Sequence, residues 1–108
     1  MTIPTFDVLL DRPDALTGEP FPLRARVRMR VTPAASGSLS PTEATCVEWL
    51  REALESAVMI GQDRYGVPRR QVGRGSVEAA ARASLEYLLA RASHRLDTFE
   101  LLSLDPAD

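Results

Sequence analysis

Residues 23–31 read Leu-Arg-Ala-Arg-Val-Arg-Met-Arg-Val. Apolar and basic residues alternate without a break over nine positions, the period-2 signature of a half-buried β-strand. One face carries Leu23, Ala25, Val27, Met29 and Val31, and the other carries Arg24, Arg26, Arg28 and Arg30. A strand of this kind needs a covering layer on its apolar face. It also poses the main functional question of the chain, namely what the arginines meet.

Two further strands are expected. Thr5–Asp11 places Phe6, Val8 and Leu10 on one face, and Asp97–Leu104 closes the chain. The connection over 12–22 holds three prolines and Gly18, which marks a turn-rich return to the arginine strand. A small-residue loop over 32–39 leads to a helix start at Ser40, with Pro41 at the first helical position and Glu43 completing a capping box. This first helix is expected over residues 41–60, ending at Gly61. It buries Cys46, Val47, Leu50, Ala53, Leu54, Ala57 and Val58 and turns Glu48, Glu52, Glu55 and Ser56 outward. Trp49 and Ile60 lie on the border, and Met59 on the polar side hints at exposed apolar surface.

Residues 61–75 contain four glycines and a proline and are read as a long connector. Ser76 then caps a second helix over 77–95, with Val77, Ala81, Leu85, Leu88, Leu89 and Ala92 as its main apolar stripe and Leu96 extending it. Its opposite side carries Ala79, Ala83, Tyr87, Ala90 and His94, a set suited to close packing against another helix. The order β-β-α-α-β gives an α+β two-layer sandwich: a three-stranded, mostly antiparallel sheet with two helices on one face, in a single domain over 1–108. A 20-residue helix and a nine-residue strand both span about 30 Å, so the layers match. A sheet with one bare face and open edges is prone to pair with a second copy.

Charge runs in alternating blocks, −3 over 1–20, +4 over 21–40, −3 over 41–60, +3 over 61–75 and −3 over 76–108. The formal total is −2, which does not point to nucleic acid for the molecule as a whole. All 13 basic residues are arginine, and neither lysine nor asparagine occurs, which points to a GC-rich, bacterial coding genome. The single cysteine, Cys46, excludes an intramolecular disulfide and fits a reducing compartment. No apolar run approaches membrane-spanning length and no basic leader precedes one, so a cytoplasmic chain without membrane association is expected.

The basic blocks supply a candidate binding surface for a protein partner or a polyanion: Arg24, Arg26, Arg28 and Arg30 on the strand, and Arg64, Arg69, Arg70 and Arg74 on the connector. A cross-strand charge ladder with Asp7, Asp11 and Glu100 is the competing account of the strand arginines. Trp49, Ala83, Tyr87, Ala90 and His94 form a candidate oligomer interface. The glycines of 61–75 make neither a P-loop nor a dinucleotide fingerprint. One cysteine and one histidine do not make a metal site, and no cofactor is expected. No catalytic constellation is visible.

The sequence therefore reads as a non-enzymatic protein-interaction or assembly module, self-associating as a homo-oligomer, in the simplest case a dimer. A nucleic-acid-binding accessory protein using the arginine strand and connector is the alternative. A small enzyme with His94 at a subunit interface is the second alternative.

Overall fold

The computed structural model describes residues 2–34 and 39–107. The elements are β1 (Thr5–Leu10), β2 (Leu23–Pro33), α1 (Glu43–Tyr65), a 3-10 turn at Arg69–Gln71, α2 (Arg74–Arg91) and β3 (His94–Pro106). The strands form one antiparallel sheet in the order β1-β2-β3, so the arginine strand is central. Both helices lie on one face, as the sequence pattern requires. Leu23, Ala25, Val27 and Met29 of β2 are buried beneath them, with Val8 and Leu10 of β1 and Phe99 and Leu101 of β3. Leu50, Ala53, Leu54, Ala57 and Val58 of α1 and Val77, Ala81, Leu85 and Leu89 of α2 complete the same core.

β3 is longer than its partner because it carries two register shifts. Arg26 pairs with Ser103 but Val27 with Leu101, and Arg30 pairs with Thr98 but Val31 with Leu96. Leu102 and Asp97 are thus the extra residues of two β-bulges. Each bulge resets the inward phase, so Leu96, Phe99, Leu101 and Leu104 all fall opposite inward residues of β2. Strict alternation would have sent half of them outward.

Four expected boundaries move, each for a local reason. The cap of α1 is Thr42 rather than Ser40: its Oγ1 accepts the Thr45 N–H at 3.2 Å, and Pro41 stays ahead of the helix. α1 also runs through Gly61 to Tyr65 and stops at Gly66, which adopts the left-handed conformation (φ 63°) and donates its N–H to the Gln62 carbonyl at 2.8 Å. Gly61 serves packing instead of capping, since a Cβ there would lie 2.6 Å from Val72 Cγ1. The 61–75 connector is therefore largely helical, and α2 begins at Arg74 with Gly73 as N-cap. Ser76 donates its hydroxyl back to the Gly73 carbonyl at 3.0 Å. α2 ends at Arg91, Ser93 takes φ 58° in the turn, and His94 becomes the first residue of β3 rather than a helical one. Of the loop expected over 32–39, residues 35–38 lie outside the described residues.

Candidate functional site

The outer face of the sheet is a charge ladder. Arg24, Arg26 and Arg28 are exposed and Arg30 is half-buried. Their cross-strand neighbours include acids on both sides: Asp7 opposite Arg26 on β1, and Glu100 opposite Arg28 and Asp105 opposite Arg24 on β3. The Arg26 guanidinium lies 3.5 Å from the Asp7 carboxylate, and Arg28 donates to Glu100. At the far end Asp97 accepts from the Thr32 hydroxyl at 2.9 Å and from Arg95 at 2.9 Å. The Thr32 hydrogen bond is the main reason its carboxyl is held below the ordinary carboxylate value. Such exposed pairs contribute little stability, but they turn the basic stripe of one strand into a face of mixed sign.

The connector arginines have separate fates. Arg64 stacks over the Tyr65 ring at 5.7 Å, and Arg70 is exposed beside Pro68. Arg74 reaches across to donate to the Leu101 carbonyl at 2.6 Å. Arg69 lies apart from the other connector arginines. Its side chain is 2% exposed, so it belongs to the interior and not to the surface basic set.

Around Arg69 lies a buried polar cluster that sequence reasoning missed. Its guanidinium donates to Glu55 at 2.8 Å, to the Leu10 carbonyl at 2.8 Å and to the Phe21 carbonyl at 2.8 Å. Glu55, expected on the solvent side of the first helix, is itself 2% exposed, with Arg12 at 3.6 Å as a second cation. Asp14 accepts the Arg69 backbone N–H at 2.8 Å, the Gln62 amide at 2.8 Å and the N–H groups of Leu16 and Thr17. The Arg69 N–H is the largest cause of the low Asp14 pKa of about 2, with burial opposing it and the remaining donors adding to it. The three prolines and Gly18 mark 12–22 as turn-rich, but nothing in the sequence marks Asp14 as its anchor. Its partners, 48 and 55 residues away, carried no local signal.

This cluster ties the 12–22 connection to the end of α1 and to the α1–α2 link. On its outer side the same elements hold apolar side chains in water. Leu16, Met59 and Ile60 are 54%, 46% and 53% exposed. With Ala15, Ser56 and Asp63 they line an open groove of about 440 Å³. The Met59 hint in the sequence leads here, with Ile60 from the border of the same helix; Leu16 carries no such signal.

The five residues of the expected oligomer interface lie on α1, α2 and β3. Trp49 and His94 meet, with ring centroids 5.5 Å apart. The His94 Nδ1 lies 2.6 Å from the Ala92 carbonyl and donates to it, while its Nε2 is buried with no partner among the described residues. Ala83, Tyr87 and Ala90 lie on the exposed face of α2, with Arg91 over the Tyr87 ring at 5.7 Å. Cys46 is buried, and burial pushes its thiol pKa upward, away from nucleophilic use. Among the described residues no group of three His, Cys, Asp or Glu side chains is placed to hold a metal ion. No helix among them is long and apolar enough to cross a membrane.

Comparison of the chain with protein-family models, with curated proteins and with solved structures finds no match in any of the three.

Proposed function

We propose that this chain is a non-enzymatic protein-interaction module that self-associates and presents one apolar groove to a protein partner. The observation that carries the reading is the exposed Leu16, Met59 and Ile60 set around its groove. Three large apolar side chains converge there from two elements, and the buried Arg69–Glu55 and Asp14–Gln62 contacts hold those elements in register. Contiguous exposed apolar surface with a polar rim is the usual composition of a protein-docking site. Ser56 and Asp63 supply that rim. The acids interleaved with the arginine strand weigh against the nucleic-acid alternative, because phosphate binding relies on uncompensated cations.

The test is affinity capture with three folded baits: wild type, the double variant Met59→Glu/Ile60→Glu, and Glu86→Ala, an exposed position of α2, as a surface control. The reading expects specific proteins held by wild type and by the control but lost from the double variant. An identical captured set for all three baits would contradict it.

A further inference from the structure

The two free edges of the sheet are not equivalent. The Pro4 carbonyl accepts the Met29 N–H at 3.2 Å, so even-numbered residues at this end of β1 bond to β2. Antiparallel alternation then turns the N–H and C=O groups of Thr5, Asp7 and Leu9 away from the sheet. The same alternation carried across β2 turns those of Phe99 and Leu101 outward on β3. That edge is closed by one row of α2 side chains, spaced four residues apart. Glu78 accepts the Leu101 N–H at 2.7 Å, Arg74 donates to the Leu101 carbonyl at 2.6 Å, and Arg82 donates to the Phe99 carbonyl. The bulges of β3 protect it further.

On β1 the corresponding cover is thin. Arg51 donates to the Leu9 carbonyl at 3.3 Å. Among the described residues no side chain reaches the outward backbone groups of Thr5 or Asp7.

We infer that this open edge, Thr5 to Asp7, is where a second copy of the chain pairs, β1 against β1 in antiparallel sense, joining two three-stranded sheets into one. The inference rests on the self-association in the proposed function and assigns its geometry. Outward residues must face outward residues, so the two-fold axis falls at Thr5, Phe6 or Asp7 if both open positions are used; at Thr5, Asp7 would face Ile3, which lies outside the strand. With the two-fold axis at Asp7, two carboxylates would oppose each other, which is unfavourable. With the axis at Phe6, Thr5 faces the partner's Asp7, and its hydroxyl is placed to donate to that carboxylate. Each such pair exchanges two backbone hydrogen bonds. Phe6 then lies across from the partner's Phe6. Phe6 is partly buried against the core and lines an open groove of about 430 Å³ beside this edge, with Pro4 and Thr5. The register is self-complementary, as a two-fold interface requires.

The experiment compares solution mass by sedimentation for wild type, Asp7→Ala and Asp7→Pro, with circular dichroism as the check of folding. Proline at 7 deletes an N–H that points away from β2, so it leaves the internal ladder intact, and proline is tolerated on edge strands. Asp7→Ala loses the Arg26 ion pair but keeps the N–H. The expected result is a concentration-dependent dimer for wild type and Asp7→Ala, and half that mass for folded Asp7→Pro. A dimeric Asp7→Pro would overturn the edge pairing and leave self-association standing through another surface. A monomeric wild type would overturn both. Should Asp7→Pro fail to fold, Phe6→Cys in a Cys46→Ala background decides. Residues in a non-hydrogen-bonded antiparallel pair lie about 4.5 Å apart at Cα, inside the disulfide range of about 4.4–6.8 Å. Mild oxidation is expected to cross-link this variant into a covalent dimer and not Ala83→Cys in the same background. Equal cross-linking of both, or of neither, would overturn the assignment.

Discussion

Replacing Arg69 by methionine removes a guanidinium that serves three acceptors at once: the Glu55 carboxylate and the Leu10 and Phe21 carbonyls, each at 2.8 Å. Both side chains of the ion pair are 2% exposed, so water cannot substitute for the lost partner. Removing one member of a buried pair costs about 3–5 kcal/mol, mostly because the remaining charge stays desolvated. Carbonyls left short of a donor add about 1–3 kcal/mol at most. Arg12, 3.6 Å from Glu55 and 44% exposed, offsets part of this by moving closer. A net loss of about 4 kcal/mol is expected, a large share of the roughly 5–15 kcal/mol that holds a domain folded. Urea unfolding followed through Trp49, the single tryptophan, reads it directly. With slopes of about 1–3 kcal/mol/M the midpoint falls by more than about 1 M. The double variant Arg69→Met/Glu55→Met no longer strands a carboxylate, so it is expected to be more stable than Arg69→Met alone. An Arg69→Met variant within about 0.5 kcal/mol of wild type, the range of a neutral surface change, would refute the reasoning. So would a double variant less stable than that single one.

The Asp14 carboxyl, held at about 2 against an ordinary 3.8, contributes stability that is complete above the higher value. That contribution is lost as pH falls through the window between them; acid titration of the folded state should show it for wild type and a flatter profile for Asp14→Asn. Gly61→Ala is expected to lower the melting temperature, since its Cβ meets Val72 Cγ1 at 2.6 Å and overpacking costs about 1–3 kcal/mol. In a Val72→Ala background the same change should raise the melting temperature, because the clash is gone and the helix preference for alanine, about 0.5–1 kcal/mol, remains.

The layer architecture was legible because it rests on short-range pattern. Alternation over 23–31 set the central strand and its buried face, and the apolar halves of the two helices could only cover that face. The sequence reading of the arginine strand offered a charge ladder among its accounts, and the cross-strand register supplies the acids for it. Three features escaped because their causes are not local. The bulges at Asp97 and Leu102 are visible only once β3 is laid against β2. Gly61 looked like a helix end because a glycine after an apolar stripe usually is one; its reason, Val72, is contributed by the connector that was read as a loop. Glu55 and Arg69 sat in positions that composition assigns to solvent, and only the fold brings them together across 14 residues of chain. The groove at Leu16, Met59 and Ile60 was half visible, since Met59 stood out on a polar helix face while Leu16 belongs to a distant turn.

Self-association is the claim on which both the proposed function and the edge pairing depend, and the molar mass of the wild-type chain in solution tests it most directly. Sedimentation equilibrium over a wide range of concentration should give a mass that rises from the 11.9 kDa of one chain toward twice that value. A mass of 11.9 kDa at every concentration would contradict the account.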